Sequence, residues 1–242
     1  MNILIIGGGK MGMSHLAIIT QYIGKTSISV CDTNFFRRLF FRLLGYKTFG
    51  NHVCAKNMLG SVHGVLVATP TKSHEELVQW AINENIPCFV EKPLTLDYNK
   101  SFELLKFANK KNAYVQLGFV MRYVRSFQKL FELINENKLG SVRFYEASMN
   151  GNVITKDLSK ESWQGIYEQG GGCLNEYGPH LIDLCVFIFG KVENVGSASM
   201  DKVFSQRADD LVEFTLKHDS GLKGKVNLNW VDHTKRKSVI QI

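Results

Sequence analysis

Lys92 sits in Glu91-Lys92-Pro93, directly after the apolar run Ile86-Pro87-Cys88-Phe89-Val90, which reads as a strand. Proline cannot continue a β-ladder, so the lysine is delivered at a strand's carboxyl end, where open α/β sheets collect ligands. A Lys-Pro turn leaving a strand would give the same tripeptide. Far along the chain, Glu176, His180 and Asp183 fall at i, i+4 and i+7, one face of a helix. A histidine and a carboxylate acting with a lysine form an acid/base set for taking a hydroxyl proton. Without a cofactor nearby, the same residues read equally well as polar groups at a helix start.

The opening of the chain suggests that cofactor. Asn2 to Ile6 is a near-continuous apolar run of strand length, followed by Gly7-Gly8-Gly9-Lys10-Met11-Gly12. Gly7, Gly9 and Gly12 match G-x-G-x-x-G, and Met11, His15, Leu16, Ile18, Ile19 and Tyr22 then offer an apolar helical face. Glycines allow a tight turn and a close backbone approach to a pyrophosphate, and the helix start supplies amides and a positive dipole end. The next strand, Ser27 to Cys31, ends in Asp32, where an acid accepts hydrogen bonds from adenosine ribose hydroxyls. An aspartate capping the following helix is the alternative. A carboxylate there repels a 2′-phosphate, so NAD is favoured over NADP, a preference that Arg37 and Arg38 in the next helix temper. Val62 to Ala68 reads as a further strand, running into Thr69-Pro70-Thr71-Lys72-Ser73-His74. Thr69, Pro70 and His74 are therefore expected along the same edge as the glycines. His74 lines the cofactor or serves the structure.

These residues need a scaffold, and the hydrophobic pattern supplies one. Helices are expected over 35–44 (apolar stripe Phe36, Leu39, Phe40, Leu43, Leu44), 53–59, 75–83 and 97–112, the last capped by Asp97. With strands at 46–49, 86–90 and 113–118, the alternation implies a doubly wound parallel sheet. After Gly118 the rhythm changes. A helix over 122–137 precedes strands at 142–149, 192–200, 210–217, 222–230 and 238–242, with Asp219-Ser220-Gly221 as a hairpin turn. The reading is a dinucleotide-binding domain over 1–119 and an α+β domain with an open, mostly antiparallel sheet over 120–242. Pro179 is expected to kink or restart the helix that follows Gly170-Gly171-Gly172.

Composition narrows the class. The 242 residues are 45% hydrophobic and 21% charged, ordinary for a globular protein. The start carries no basic leader, and glycines cut its apolar run too short for a membrane helix. Five scattered cysteines make neither a disulfide framework nor a zinc pattern, so a reduced, cytoplasmic setting without a metal is expected. The net charge of +7 comes without a nucleic-acid recognition motif, so nucleic acid is not expected as a partner, and with no run long enough for a membrane helix neither is a membrane.

Taken together, the motifs resemble the Gfo/Idh/MocA family of NAD(P)-dependent oxidoreductases. The resemblance runs through Gly7-x-Gly9-x-x-Gly12, Asp32, Ala68-Thr69-Pro70-Thr71-x-x-His74, Glu91-Lys92-Pro93, Gly118-Phe119-x-x-Arg122-Tyr123 and Gly170-Gly171-Gly172 through His180 to Asp183. It implies an N-terminal Rossmann domain, a C-terminal open-sheet domain and an active site between them. Lys92 would approach nicotinamide and substrate hydroxyl, and His180 matches the catalytic histidine. Glu176 takes the place usually held by aspartate, a departure that adds a methylene to its reach. The substrate would be a polyol, sugar or nucleotide sugar oxidised at a secondary alcohol. Arg122, Tyr123, Trp163 and Asp183 are candidate substrate contacts, with Gln164 and Tyr167 beside them. A non-catalytic dinucleotide-sensing regulator, or an imine or enal reductase, would use the same site. Family members usually continue past this chain's end. A shortened sheet would leave an edge needing cover, which favours homo-oligomerisation through the open sheet.

Overall fold

The computed structural model describes residues 1–153, 163–205, 207–232 and 237–242, and they form two compact units, Met1–Gly118 and Phe119–Ile242. The first unit alternates β1 (Ile3–Ile6), α1 (Lys10–Ile23), β2 (Ile28–Cys31), α2 (Phe35–Leu43), β3 (Lys47–Phe49) and α3 (His52–Leu59). It continues with β4 (Gly64–Val67), α4 (His74–Asn83), β5 (Cys88–Val90), α5 (Tyr98–Lys111) and β6 (Val115–Leu117). The sheet order is β3-β2-β1-β4-β5-β6 and every pairing is parallel. Leu4, Ile6, Val65 and Val67 enter a core with Leu77, Val78 and Ala81 of α4. Ile5, Val30 and Leu66 point the other way, onto Leu16 of α1 and Phe41 of α2. Covering both faces is what makes the strand sequences continuously apolar. Helix starts follow the expected chemistry: Asn34, Asn51 and Asp97 accept backbone N–H bonds of α2, α3 and α5.

Two apolar faces are not where the sequence pattern puts them. In α1, Gly12 and Leu16 are buried, whereas Met11, Ile18 and Tyr22 are exposed. In α2 the expected stripe, Phe36, Leu39, Phe40, Leu43 and Leu44, is exposed throughout, and Phe41 alone is buried. Periodicity identifies an apolar face of a helix, but not which face is turned inward.

The second unit contains α6 (Arg125–Asn135), β7 (Phe144–Asn150), α7 (Cys173–Phe189), β8 (Val192–Asp201), β9 (Leu211–His218), β10 (Lys223–Asn229) and β11 (Lys237–Gln241). Its sheet order is β11-β7-β10-β9-β8, antiparallel except for the β7–β10 pair. Gly221, at φ +85°, turns the chain from β9 to β10. The core lies between this sheet and α7: Tyr177, Leu181, Leu184, Cys185 and Ile188 meet Tyr145, Val212, Val226, Leu228 and Trp230. α7 is one helix with Pro179 in its interior, not a restarted one. An interior proline costs about 3 kcal/mol. Buried Leu181, Leu184 and Ile188 each contribute up to about 1.5–3 kcal/mol, so packing outweighs the lost bond.

Candidate functional site

Because all six strands of the first unit are parallel, their carboxyl ends share one edge. The residues just beyond them are tied to neighbouring strands: Gly7 N–H to Cys31 O, Ala68 N–H to Ile6 O, Glu91 N–H to Val67 O and Gly118 N–H to Val90 O. The strand order reverses between β1 and β4, the position where doubly wound sheets open a ligand crevice. Gly7 lies there at φ +100°, and a Cβ on it would come within 2.5 Å of Ala68 O. A Cβ on Gly12 would strike Gly7 O, whereas one on Gly9 would meet nothing within 4 Å. So two glycines let α1 pack on the loop, and Gly9 keeps the approach to it open. The N-cap of α1, Gly9, makes no side-chain cap, and Lys10 and Met11 in the first turn are exposed. Uncapped amides beside an open glycine loop suit a pyrophosphate.

Asp32 follows β2 and is 5% exposed. One carboxylate oxygen accepts the Gly8 N–H at 2.7 Å and the other accepts the Asn34 N–H at 2.7 Å. Arg37 Nη1 is 3.4 Å from the first oxygen, and Arg38 instead donates to the carbonyls of Asp32 and Thr33. Asp32 thus braces the glycine loop against the start of α2.

Lys92 follows β5, joined to Pro93 by a cis peptide bond, and both its flanks are secured. Glu91 Oε1 lies 2.6 Å from His15 Nε2 on α1, and the His15 ring meets Phe89 edge-on. On the other side, His74 Nδ1 lies 2.8 Å from Pro93 O and Nε2 2.9 Å from Thr69 O. His74, expected along the cofactor edge, is 1% exposed and commits both nitrogens to backbone. Thr69 Oγ1 accepts from Ser73, which also donates to Pro70 O, so the turn after β4 is braced from within. His15 reads from the sequence as one member of an apolar face; its only signal there is a polar residue within that face.

In the second unit, Glu176 and His180 are half-buried one turn apart on α7. Gln164 Nε2 donates to Glu176 Oε2 at 3.0 Å. Asp183, on the same face, takes both Nε and Nη2 of Arg122, at 2.8 and 2.5 Å, a bidentate pair. Arg122 also lies over the rings of Phe119 and Phe187. These two candidate substrate contacts therefore bind each other. Tyr123 is exposed, and the Trp163 side chain lies outside the described residues. The start of α7 is held by a residue the sequence did not single out. Asp209 O accepts the Cys173 N–H at 2.9 Å and Asp209 Oδ2 accepts the Leu174 N–H at 2.6 Å. Gly172, at φ +99°, makes room: its Cβ would fall 2.3 Å from Asp209 Oδ1. Asp209 lies 35 residues from Leu174, which left no local signal.

The chain has clear relatives. Residues 1–119 match the oxidoreductase family model for the NAD-binding Rossmann fold, and residues 127–242 match the GFO/IDH/MocA C-terminal domain. Oxidoreductase P35 of Formosa agariphila is 30% identical over 173 residues, covering 69% of this chain and 53% of that protein. Inositol 2-dehydrogenase of Rhodococcus jostii is 29% identical over 146 residues, 59% of this chain and 40% of that enzyme. The chain thus spans about half the length of these curated relatives. In fold it is similar to the WlbA dehydrogenase from Bordetella pertussis in complex with NADH and UDP-GlcNAcA, with TM-score 0.88 and 18% identity. That match covers 99% of this chain and 70% of the other. With one family's models matching both units, the chain belongs to the GFO/IDH/MocA oxidoreductase family, and its first unit is that family's NAD-binding Rossmann domain.

Proposed function

We propose that this protein is an NAD-dependent oxidoreductase moving a hydride between nicotinamide and a secondary alcohol or ketone of a sugar, cyclitol or nucleotide sugar. The observation that carries the reading is Lys92: it leaves β5 at the sheet edge that bears the open glycine loop and Asp32, fixed by Glu91–His15 on one side and His74–Pro93 on the other. Bound NAD supplies the hydride acceptor. Gly7 to Gly12 hold its pyrophosphate and Asp32 its adenosine ribose, so that NAD is preferred over NADP. His180 takes the hydroxyl proton and Lys92 stabilises the alkoxide that develops, while Glu176, held by Gln164, orients the substrate or His180. The inositol dehydrogenase among the relatives and the nucleotide sugar in the structural neighbour support a polyol or sugar substrate. Pairing through the open face of the second sheet is the proposed mode of homo-oligomerisation.

A positioned base contributes about 10²–10⁴-fold to turnover. Lys92→Ala and His180→Ala are therefore each expected to lower turnover by that order while NADH binding, read by fluorescence, persists. Near-wild-type turnover of an identified substrate in either variant would sink the assignment. A second reading, a dinucleotide-sensing regulator without turnover, draws on Glu176 standing where the family usually has aspartate. NADH fluorescence with a panel of sugars and nucleotide sugars separates the two, because catalysis changes the signal with time and sensing does not.

A further inference from the structure

We propose that the outward face of α2 docks on an anionic lipid surface. The helix carries Phe35-Phe36-Arg37-Arg38-Leu39-Phe40-Phe41-Arg42-Leu43, with Leu44 as its cap. At 100° per residue, Phe36, Leu39, Phe40 and Leu43 share one side and Phe41 the opposite one. Phe41 is 1% exposed, whereas Phe36 is 77% and Leu43 80% exposed. The amphipathic helix is thus turned inside out. A contiguous apolar face of this kind on a protein surface marks an interaction site.

The cations at the carboxyl end of that face say what covers it. In sequence, residues 1–74 hold eight lysines and arginines, Lys10 to Lys72, against one acid, Asp32, although Lys56 is paired with Glu84 and Arg37 reaches Asp32. Residues 75–242 carry equal numbers of each sign. A dinucleotide's pyrophosphate answers only for the glycine-loop end of this excess. Arg42, near the carboxyl end of α2, is exposed, and among the described residues its guanidinium reaches the Thr48 hydroxyl, at 3.4 Å. Lys25 donates to Leu44 O, placing another cation there. An anionic bilayer surface accepts apolar side chains without a matching groove and is attracted by flanking cations. α2 packs over β2 and β3, and β3 is the outermost strand, so the helix lies at one end of this sheet. Composition speaks against a membrane-spanning segment, and a surface-lying helix needs none.

The test is co-sedimentation of the full chain with vesicles of phosphatidylcholine alone or mixed with phosphatidylglycerol, at low and high salt. Pelleting is expected with the anionic vesicles only, and to weaken with salt. Phe36→Ser and Leu43→Ser should each weaken binding about tenfold or more, and Arg42→Gln about fivefold. Tyr98→Ser, at an exposed position on α5, should bind like wild type. NADH binding and far-UV circular dichroism are expected to be unchanged in all four variants. Failure of the wild type to pellet with anionic vesicles overturns the proposal, as does pelleting that ignores Phe36→Ser and Leu43→Ser. So does a dimer in sedimentation velocity that those two substitutions abolish without any vesicle binding, since that assigns the face to a second copy.

Discussion

His74 shows how much a single buried side chain can organise. It sits at the start of α4 and links the turn after β4, through Thr69 O, to the residue after Lys92, through Pro93 O. His74→Phe would keep a ring and remove the nitrogens that face the two carbonyls. An unsatisfied buried acceptor costs about 1–3 kcal/mol, so a loss of about that order is expected in urea unfolding, and turnover should fall more than NADH affinity does. Stability and turnover that both match wild type would mean that His74 ties nothing together. The sequence marks His74 as belonging to this edge, because Thr69-Pro70 and the helix start are legible. It does not show that the ring faces inward, since Pro93 lies 19 residues away.

At the scale of elements, α7 carries Glu176, His180 and Asp183, and its own start depends on Asp209. Asp209→Ala removes the acceptor of the Leu174 N–H and is expected to cost about 0.5–2 kcal/mol, as loss of an N-cap does. Gly172→Ala is expected to cost more, because the new Cβ enters the space of Asp209 Oδ1 at a φ of +99°. Combining the two should cost less than their sum, since Asp209→Ala removes the atom with which the Cβ collides. Additive losses in chemical denaturation would refute this coupling. The pattern of the helix, its glycines and its apolar stripe are all visible in the sequence. Its cap is not, because the cap comes from another segment.

Across the whole molecule, the two units bury four of the five cysteines and leave Cys54 exposed. Burial pushes the thiols of Cys31, Cys88 and Cys185 up to about 12. A water-soluble thiol reagent at neutral pH is therefore expected to label Cys54 alone in the native protein and all five in denaturant. Rapid labelling of two or more native thiols would contradict the packing. The same shift sets a pH trend. Above about pH 9 the unfolded chain releases thiol protons that the folded chain retains, so this contribution to stability falls as pH rises from about 9 to 12.

The sequence by itself determined the order of elements, the parallel first sheet, the glycine loop with Asp32, and Lys92 at a strand end. These follow from local periodicity, glycine and proline chemistry and short spacings. Tertiary structure alone decided which faces turn inward and which distant groups meet. It exposed the aromatic face of α2, tied Glu91 to His15 and His74 to Pro93, closed Arg122 onto Asp183 and brought Asp209 to the start of α7. The physical reason is that the apolar stripe of a helix carries no label for inside. Contacts between residues tens of positions apart depend on how layers pack, and the local pattern does not encode that.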